Sequence, residues 1–247
     1  MEMAKDDSPL IIGGVGGSGT RIVCQIALDA GFFMGTNLNE SLDSLDFQPF
    51  YNHWIRPFLI EKKPSLETTN KMKKVFNDCL SKHLLPKKTN TEWGIKNPRY
   101  ILVMPFLFSV FPKMKFIHVI RDGRDMAFSS NQQQPKLFGD IFCGNESAGT
   151  PLYNLKYWSI INQNALNYGL TNLKNNYLIV RFEDIINNPT ELIKKIFEFL
   201  GSETTKFKEI QEKIKNPSTI GRWQLRSNEL SQISKLEKDS LSKFGYF

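Results

Sequence analysis

Leu10-Ile11-Ile12-Gly13-Gly14-Val15-Gly16-Gly17-Ser18-Gly19-Thr20-Arg21 joins a short apolar run to a cluster of glycines. The run reads as a buried strand entering a loop. Beyond it Ile22, Ile26 and Ala30, joined by Val23 and Ala27, fall at helical spacing, with Gly31 placed to end the helix. Strand, glycine loop and helix in that order make an anion cradle. Glycines admit positive φ angles and a close approach of backbone to phosphate, and amides converge at the positive end of the helix. Gly16, Gly17 and Gly19 supply that freedom, Ser18 and Thr20 add hydroxyl donors, and Arg21 adds a charge if it points inward. A purely structural turn is the bland alternative.

The same alternation continues outward. Trp93-Gly94-Ile95 reads as a second strand running into Lys96-Asn97-Pro98, followed by an apolar helix over Tyr100 to Phe111, kinked at Pro105. Phe116-Ile117-His118-Val119-Ile120 is the clearest strand. It passes through Arg121-Asp122-Gly123 into a helix starting near Arg124. Lys71 to Leu85 and Leu152 to Leu173 read as helices, and Tyr177-Leu178-Ile179-Val180 as a strand. Asn188-Pro189-Thr190 opens an amphipathic helix closed by Gly201, and Asn228 to Leu241 is a further amphipathic candidate. Short apolar strands separated by helices predict an α/β fold, its mostly parallel central sheet covered by helices on both faces. Ligands of such sheets bind beyond the carboxyl ends of the strands. One domain over residues 1–247 is expected, with 36–92 as an acceptor-binding or lid region.

Composition narrows the partners. The 247 residues carry a net charge of +7, which favours an anionic partner. Basic residues are scattered, with no dense stripe and no reading motif, which argues against nucleic acid and for a small polyanion. Three cysteines, far apart and without a CxxC, argue against disulfides or zinc and for a reducing, cytoplasmic setting. The three histidines also lack metal-ligand spacing, so no metal is expected. Met1 to Asp7 lacks the features of a secretory leader, and the longest apolar stretch is too short to anchor in a bilayer.

Three kinds of site use such a glycine loop. Gly14 to Gly19 has Walker A glycine spacing, but Thr20 stands where the lysine belongs. Gly14-x-Gly16-x-x-Gly19 satisfies the dinucleotide fingerprint, yet no acidic residue ends the next apolar segment at Phe32-Phe33-Met34. A kinase or NTPase, an NAD oxidoreductase and an inactive nucleotide-binding module therefore stand as rivals. In the third kind, Gly17-Ser18-Gly19-Thr20-Arg21 resembles the SGTT core of the sulfotransferase 5′-phosphosulfate loop, and its lead-in looks like the tyrosylprotein sulfotransferase version. Gly17 replaces the basic residue usual there, and Arg21 replaces the second threonine.

A second segment strengthens the resemblance to PAPS-dependent sulfotransferases. Arg121-Asp122-Gly123-Arg124-Asp125-Met126-Ala127-Phe128-Ser129 is similar to their 3′-phosphate element, a strand-end arginine followed eight residues later by a serine on the helix. Arg121 offers a fork for two phosphate oxygens. Asp122 and Asp125 read as helix-opening residues in a capping arrangement. Taken alone, these charges equally suit surface ion pairs at a helix start. A nucleotide phosphorylated at both its 5′ and 3′ ends needs two such pockets; ATP and NAD do not. The resemblance implies 3′-phosphoadenosine 5′-phosphosulfate (PAPS) as donor, 3′-phosphoadenosine 5′-phosphate (PAP) as product, and a small-molecule or glycan hydroxyl as acceptor. It further implies Lys96 beside the leaving phosphate, and Lys215, Thr219 or Arg222 in the late loop that closes on the nucleotide. A hydroxyl nucleophile needs a base, and the segment beginning at Thr36 offers Glu40, Asp43 and Asp46, with His53 farther on; of these Asp43 is favoured. Each acid alone also fits a solvated helix face.

Overall fold

The computed structural model describes residues 8–61, 65–203, 207–214 and 217–247. Residues 1–7 and Lys215, both drawn on above, lie outside them. Four strands, β1 (Leu10–Gly14), β2 (Gly94–Lys96), β3 (Lys115–Ile120) and β4 (Tyr177–Arg181), form one sheet in the order β2-β1-β3-β4. Every pairing is parallel, with Ile12 beside Lys96, Gly14 beside Val119 and Ile120 beside Arg181. The two strands that carry the anion loops, β1 and β3, are therefore neighbours although β2 falls between them in sequence.

A parallel sheet must be covered on both faces, and it is. One face is closed by α1 (Thr20–Asp29), α9 (Phe182–Asn187), α10 (Pro189–Leu200) and α11 (Phe207–Glu212), through Val23, Ile26, Ile185, Ile193, Ile196 and Ile210. The other lies under α2 (Gln48–His53), α3 (Ile55–Glu61), α4 (Leu66–Leu84), α5 (Met104–Val110) and α8 (Pro151–Tyr168), through Phe50, Ile55, Phe76, Phe106 and Trp158. Buried positions recur along one side of α10, and Gly201 ends it in the left-handed region, φ +77°. That helix was legible to the residue.

Several boundaries differ from expectation, each for a local reason. The stretch from Tyr100 to Phe111 is not one kinked helix: residues Pro98–Val103 wind as a tight 3₁₀ turn, and α5 begins at Met104. Pro105 sits in the first turn of α5, where its missing N–H costs nothing. The helix after β3, α6 (Gly123–Ala127), is only five residues long. The turn that ends it is held by the Gln132 side chain, whose Nε2 donates to Met126 O at 2.8 Å and to Ser129 O, beyond the helix, at 2.9 Å. Ser129 thus lies just past the helix rather than two turns into it. The helix α7 (Gln133–Cys143) was not foreseen, and α8 gives way to a wider turn over Gly169–Leu173. The tail divides into a 3₁₀ stretch, Arg222–Leu230, and α12 (Lys235–Lys243) packed on α8.

His118, fully buried at the centre of β3, yields the first testable consequence. Asn162 turns its Nδ2 to Trp158 O, so its Oδ1 faces His118 Nε2 at 2.8 Å and accepts that proton. His118 Nδ1 then accepts from the Tyr177 hydroxyl at 2.6 Å. Burial holds the imidazole neutral and lowers its pKa from 6.5 to about 4. The unfolded chain therefore binds the proton first. Stability conferred by the neutral ring is complete above pH 6.5 and declines as pH falls toward 4, by roughly 3 kcal/mol. Denaturant unfolding of wild type and His118→Gln across this range should show a steeper acid loss in wild type; parallel curves would contradict it.

Candidate active site

The glycine loop carries its own explanation. Ser18 N–H and Oγ both donate to Val15 O, at 3.0 and 2.6 Å, which curls the chain back at the tip of β1. Gly17 and Gly19 have φ of +95° and +93°, the left-handed region that favours glycine. A Cβ on Gly19 would sit 2.2 Å from the Phe182 ring, so a side chain there is excluded twice over. Gly19 also stands at the N-cap of α1 with no side-chain cap. Among the described residues no carbonyl takes the N–H groups of Gly17, Gly19 or Thr20. Three donors at a helix start are thus open to an anion.

At the tip of β3 the second pocket is built around a buried guanidinium. Arg121 lies 4.9 Å from the centroid of the Phe182 ring, the same ring that abuts Gly19. Its Nη2 donates to Thr219 O at 2.6 Å and to Thr219 Oγ1 at 3.0 Å, and Asp125 stands 3.6 Å away. Its Nε is buried without a partner among the described residues. Arg222 folds into the same place, donating from Nε to Thr219 O and from Nη1 to Phe128 O. Burial lowers the Arg222 pKa, and the like charge of Arg121 lowers it further. Two guanidinia crowded together with one carboxylate and an unused donor make a site short of negative charge. Ser129 Oγ lies 3.5 Å from where a Cβ on Gly17 would be, so the end of α6 touches the glycine loop.

Asp125 does not act as a helix-opening cap. Buried to 1% exposure, it accepts from Gly221 N at 2.8 Å and Trp223 N at 3.2 Å, pinning the late loop against α6. Asp122 does cap, accepting from Arg124 N at 2.9 Å. The tips of β3 and β4 are joined by Glu183, which accepts from Asp122 N and from the Tyr246 hydroxyl, each at 2.9 Å.

On the other side of the glycine loop, at the end of β2, Lys96 Nζ donates to Asp43 Oδ1 at 2.7 Å and to Ser41 O at 2.6 Å. Lys96 is 1% exposed, an ammonium buried only because it is paired. Asn39 Oδ1 accepts from Asp43 N at 2.9 Å and fixes the turn. His83 holds the turn to the sheet, its ring nitrogens 3.1 Å from Ser44 Oγ and 3.0 Å from Gly94 O. Nearby Cys24 has its thiol pKa raised to about 12 by burial, which keeps it protonated and inert. A cleft of about 290 Å³ opens here, bounded by Gly16, Asp43, Tyr51, Asn97 and Asn131.

Of the residues singled out from sequence, the fold brings together Gly16, Gly17, Gly19, Thr20, Ser129, Arg121, Thr219 and Arg222 around the two loops, and Lys96 with Asp43 beside them. Ser18 is there too, its hydroxyl spent within the loop. Arg21 and Glu40 are elsewhere: both are exposed and line a separate depression with Gln25 and Lys213. Phe182, Asp125 and His83 were missed. Asp125 stands four residues after Arg121, the one spacing that hinted at its partner; Phe182 and His83 carry no local signal.

Two adjoining donor-rich pockets thus stand at neighbouring parallel strand tips, with a buried lysine–carboxylate pair alongside. Residues 9–206 match the model of the sulfotransferase family, and the chain belongs to that family. It is a sulfotransferase. The fold is shared with the sulfotransferase domain of the Synechococcus PCC 7002 olefin synthase, at TM-score 0.58 and 15% identity over 99% of this chain and 98% of that one. A sulfotransferase from Alicyclobacillus acidocaldarius gives 0.53 at 12% identity, over 96% and 95% of the two chains. One from Mycobacterium avium gives 0.59 at 10%, over 96% and 76%. No curated protein sequence matches the chain. Among the described residues, no group of His, Cys, Asp and Glu is disposed to hold a metal, and no helix is long and apolar enough to cross a membrane.

Proposed function

We propose that the donor is PAPS and the product PAP, with the 5′ phosphosulfate on the open amides of Gly17, Gly19 and Thr20 and the 3′-phosphate on Arg121, Arg222, Thr219 and Ser129. The observation that carries this is the Arg121 guanidinium: buried, crowded by Arg222, and left with an unused Nε. A dianionic phosphate supplies both the missing charge and the missing acceptor. Bound PAPS supplies an activated sulfuryl group: the acceptor oxygen bonds to sulfur as the sulfur–oxygen bond to phosphate breaks, its electron pair staying on the phosphate. Asp43 takes the acceptor proton, and Lys96 stabilises charge on the leaving oxygen. The chain's own contribution is mainly to hold these groups in line.

Residues 36–92 serve acceptor binding, since Asp43, Gln48, Tyr51 and Asn52 all border the cleft. The whole chain acts as one domain in the cytoplasm, where Cys24, Cys79 and Cys143 stay reduced. A thermal-shift panel with PAP, ATP and NAD tests the donor. A ligand at about 100 times its Kd adds roughly 2.7 kcal/mol, or about 5–10 °C in Tm for a chain of this size. PAP alone should do so; an equal response to ATP would sink the reading.

A further inference from the structure

The cleft beside Lys96 and Asp43 has a side-chain chemistry that the transfer reaction does not require. Gln48, Asn52 and Gln133 border it with side-chain amides that make no hydrogen bond among the described residues. Asn97 and Asn131 use only their carbonyl oxygens, accepting from Arg99 N at 3.0 Å and Gln133 N at 3.5 Å. Both keep a free NH₂ group, and that of Asn131 lies 3.4 Å from where a Cβ on Gly16 would be, at the seam between glycine loop and cleft. Arg99, half-buried in the same wall, forms no ion pair or side-chain hydrogen bond among the described residues.

These groups discriminate between acceptor classes. A carboxamide donates and accepts at once, as does each hydroxyl of a sugar, so a ring of carboxamides suits a ligand with several neighbouring hydroxyls. A phenol or long-chain alcohol would cover the same amides and return nothing to them. The guanidinium adds a second condition. With Asp43 already held by Lys96, Arg99 is the uncompensated charge of the cleft, and its planar fork fits a carboxylate or sulfate.

We propose that the acceptor is an acidic carbohydrate, its hydroxyls bound by Gln48, Asn52, Asn97, Asn131 and Gln133 and its anionic substituent by Arg99. This rests on the sulfotransferase reading for the direction of transfer and goes beyond it in naming what is sulfated. The reaction balances as above: one ring hydroxyl loses its proton to Asp43 and gains the sulfuryl group, and PAP departs.

Direct binding separates the two claims. Saturation-transfer NMR without donor would compare cellobiose, cellobiouronic acid, 6-sulfated cellobiose, 4-nitrophenol and dodecanol; calorimetry would measure PAP separately, and the same five compounds would then be offered as acceptors with labelled PAPS. Both acidic disaccharides should bind and be sulfated at least about tenfold better than cellobiose, the scale of one charge-assisted contact. The relative response of the two acids reveals whether carboxylate or sulfate is the preferred anion. Arg99→Gln should bring the acid-to-neutral ratio close to one, and Arg99→Lys should restore part of it. Equal use of cellobiose and the acids, or preference for the phenol or alcohol, overturns the proposal. PAP binding with no disaccharide binding overturns it too and leaves the donor assignment standing; binding of acidic disaccharides without PAP does the reverse.

Discussion

Arg121→Ala should remove most of the stabilisation that PAP gives the wild-type chain. Removing one partner of a buried, hydrogen-bonded charge pair costs on the order of 2–5 kcal/mol, so the Kd for PAP should rise by roughly 30-fold or more. The backbone at this point is held independently, because Trp158 Nε1 donates to the Arg121 carbonyl at 3.0 Å. The variant's own melting curve and near-ultraviolet spectrum establish that it folds. Arg121→Lys is the sharper probe: a point charge survives while the fork is lost, and intermediate affinity is expected. Unaltered PAP affinity in Arg121→Ala would remove the 3′-phosphate pocket from this strand tip.

The second large effect belongs to the buried ion pair. Asp43→Asn keeps the size and much of the hydrogen bonding of the side chain but cannot accept the acceptor's proton. Its kcat should fall by about 10²–10⁴, the usual worth of a general base, with PAP affinity nearly preserved. Lys96→Met should also lose kcat, with a smaller loss of donor binding. It leaves Asp43 without its cation, so its melting temperature must be followed in parallel. Glu40→Gln is the comparison: with Glu40 in the depression beside Arg21, it should lose far less than Asp43→Asn. Near-equal rates for wild type and Asp43→Asn would refute the assigned base.

What the sequence disclosed and what it concealed divide along a physical line. The strand tips were readable because apolar β-branched runs such as Phe116 to Ile120 have one reading in an α/β protein, and because a glycine loop between strand and helix has few uses. Helix α10 was readable from Pro189 to Gly201, since its apolar positions, first-turn proline and terminal glycine all agree. The short α6 was not: its length is set by Gln132 reaching back to cap carbonyls, a side-chain contact without a periodic signature. Asp125 was misassigned because its true partners, Gly221 N and Trp223 N, lie almost a hundred residues away. Choosing among Glu40, Asp43 and Asp46 needed the fold as well. Only Asp43 reaches Lys96, and it does so because His83 ties its turn to β2.

The placement of β2 has a consequence for how such an enzyme diversifies. That strand sits at the sheet's rim and pairs with β1 alone, and the chain between the two strands supplies Asp43 and much of the cleft wall. Apart from Lys96, which ends β2 itself, everything assigned to the nucleotide comes instead from β1, β3 and the chain after them. On the proposed assignment, changes within 36–92 would reshape one wall of the acceptor cleft while the glycine loop and Arg121 stay in place, and exchanging the substrate would require the facing wall of Asn97, Arg99, Asn131 and Gln133 to change with it.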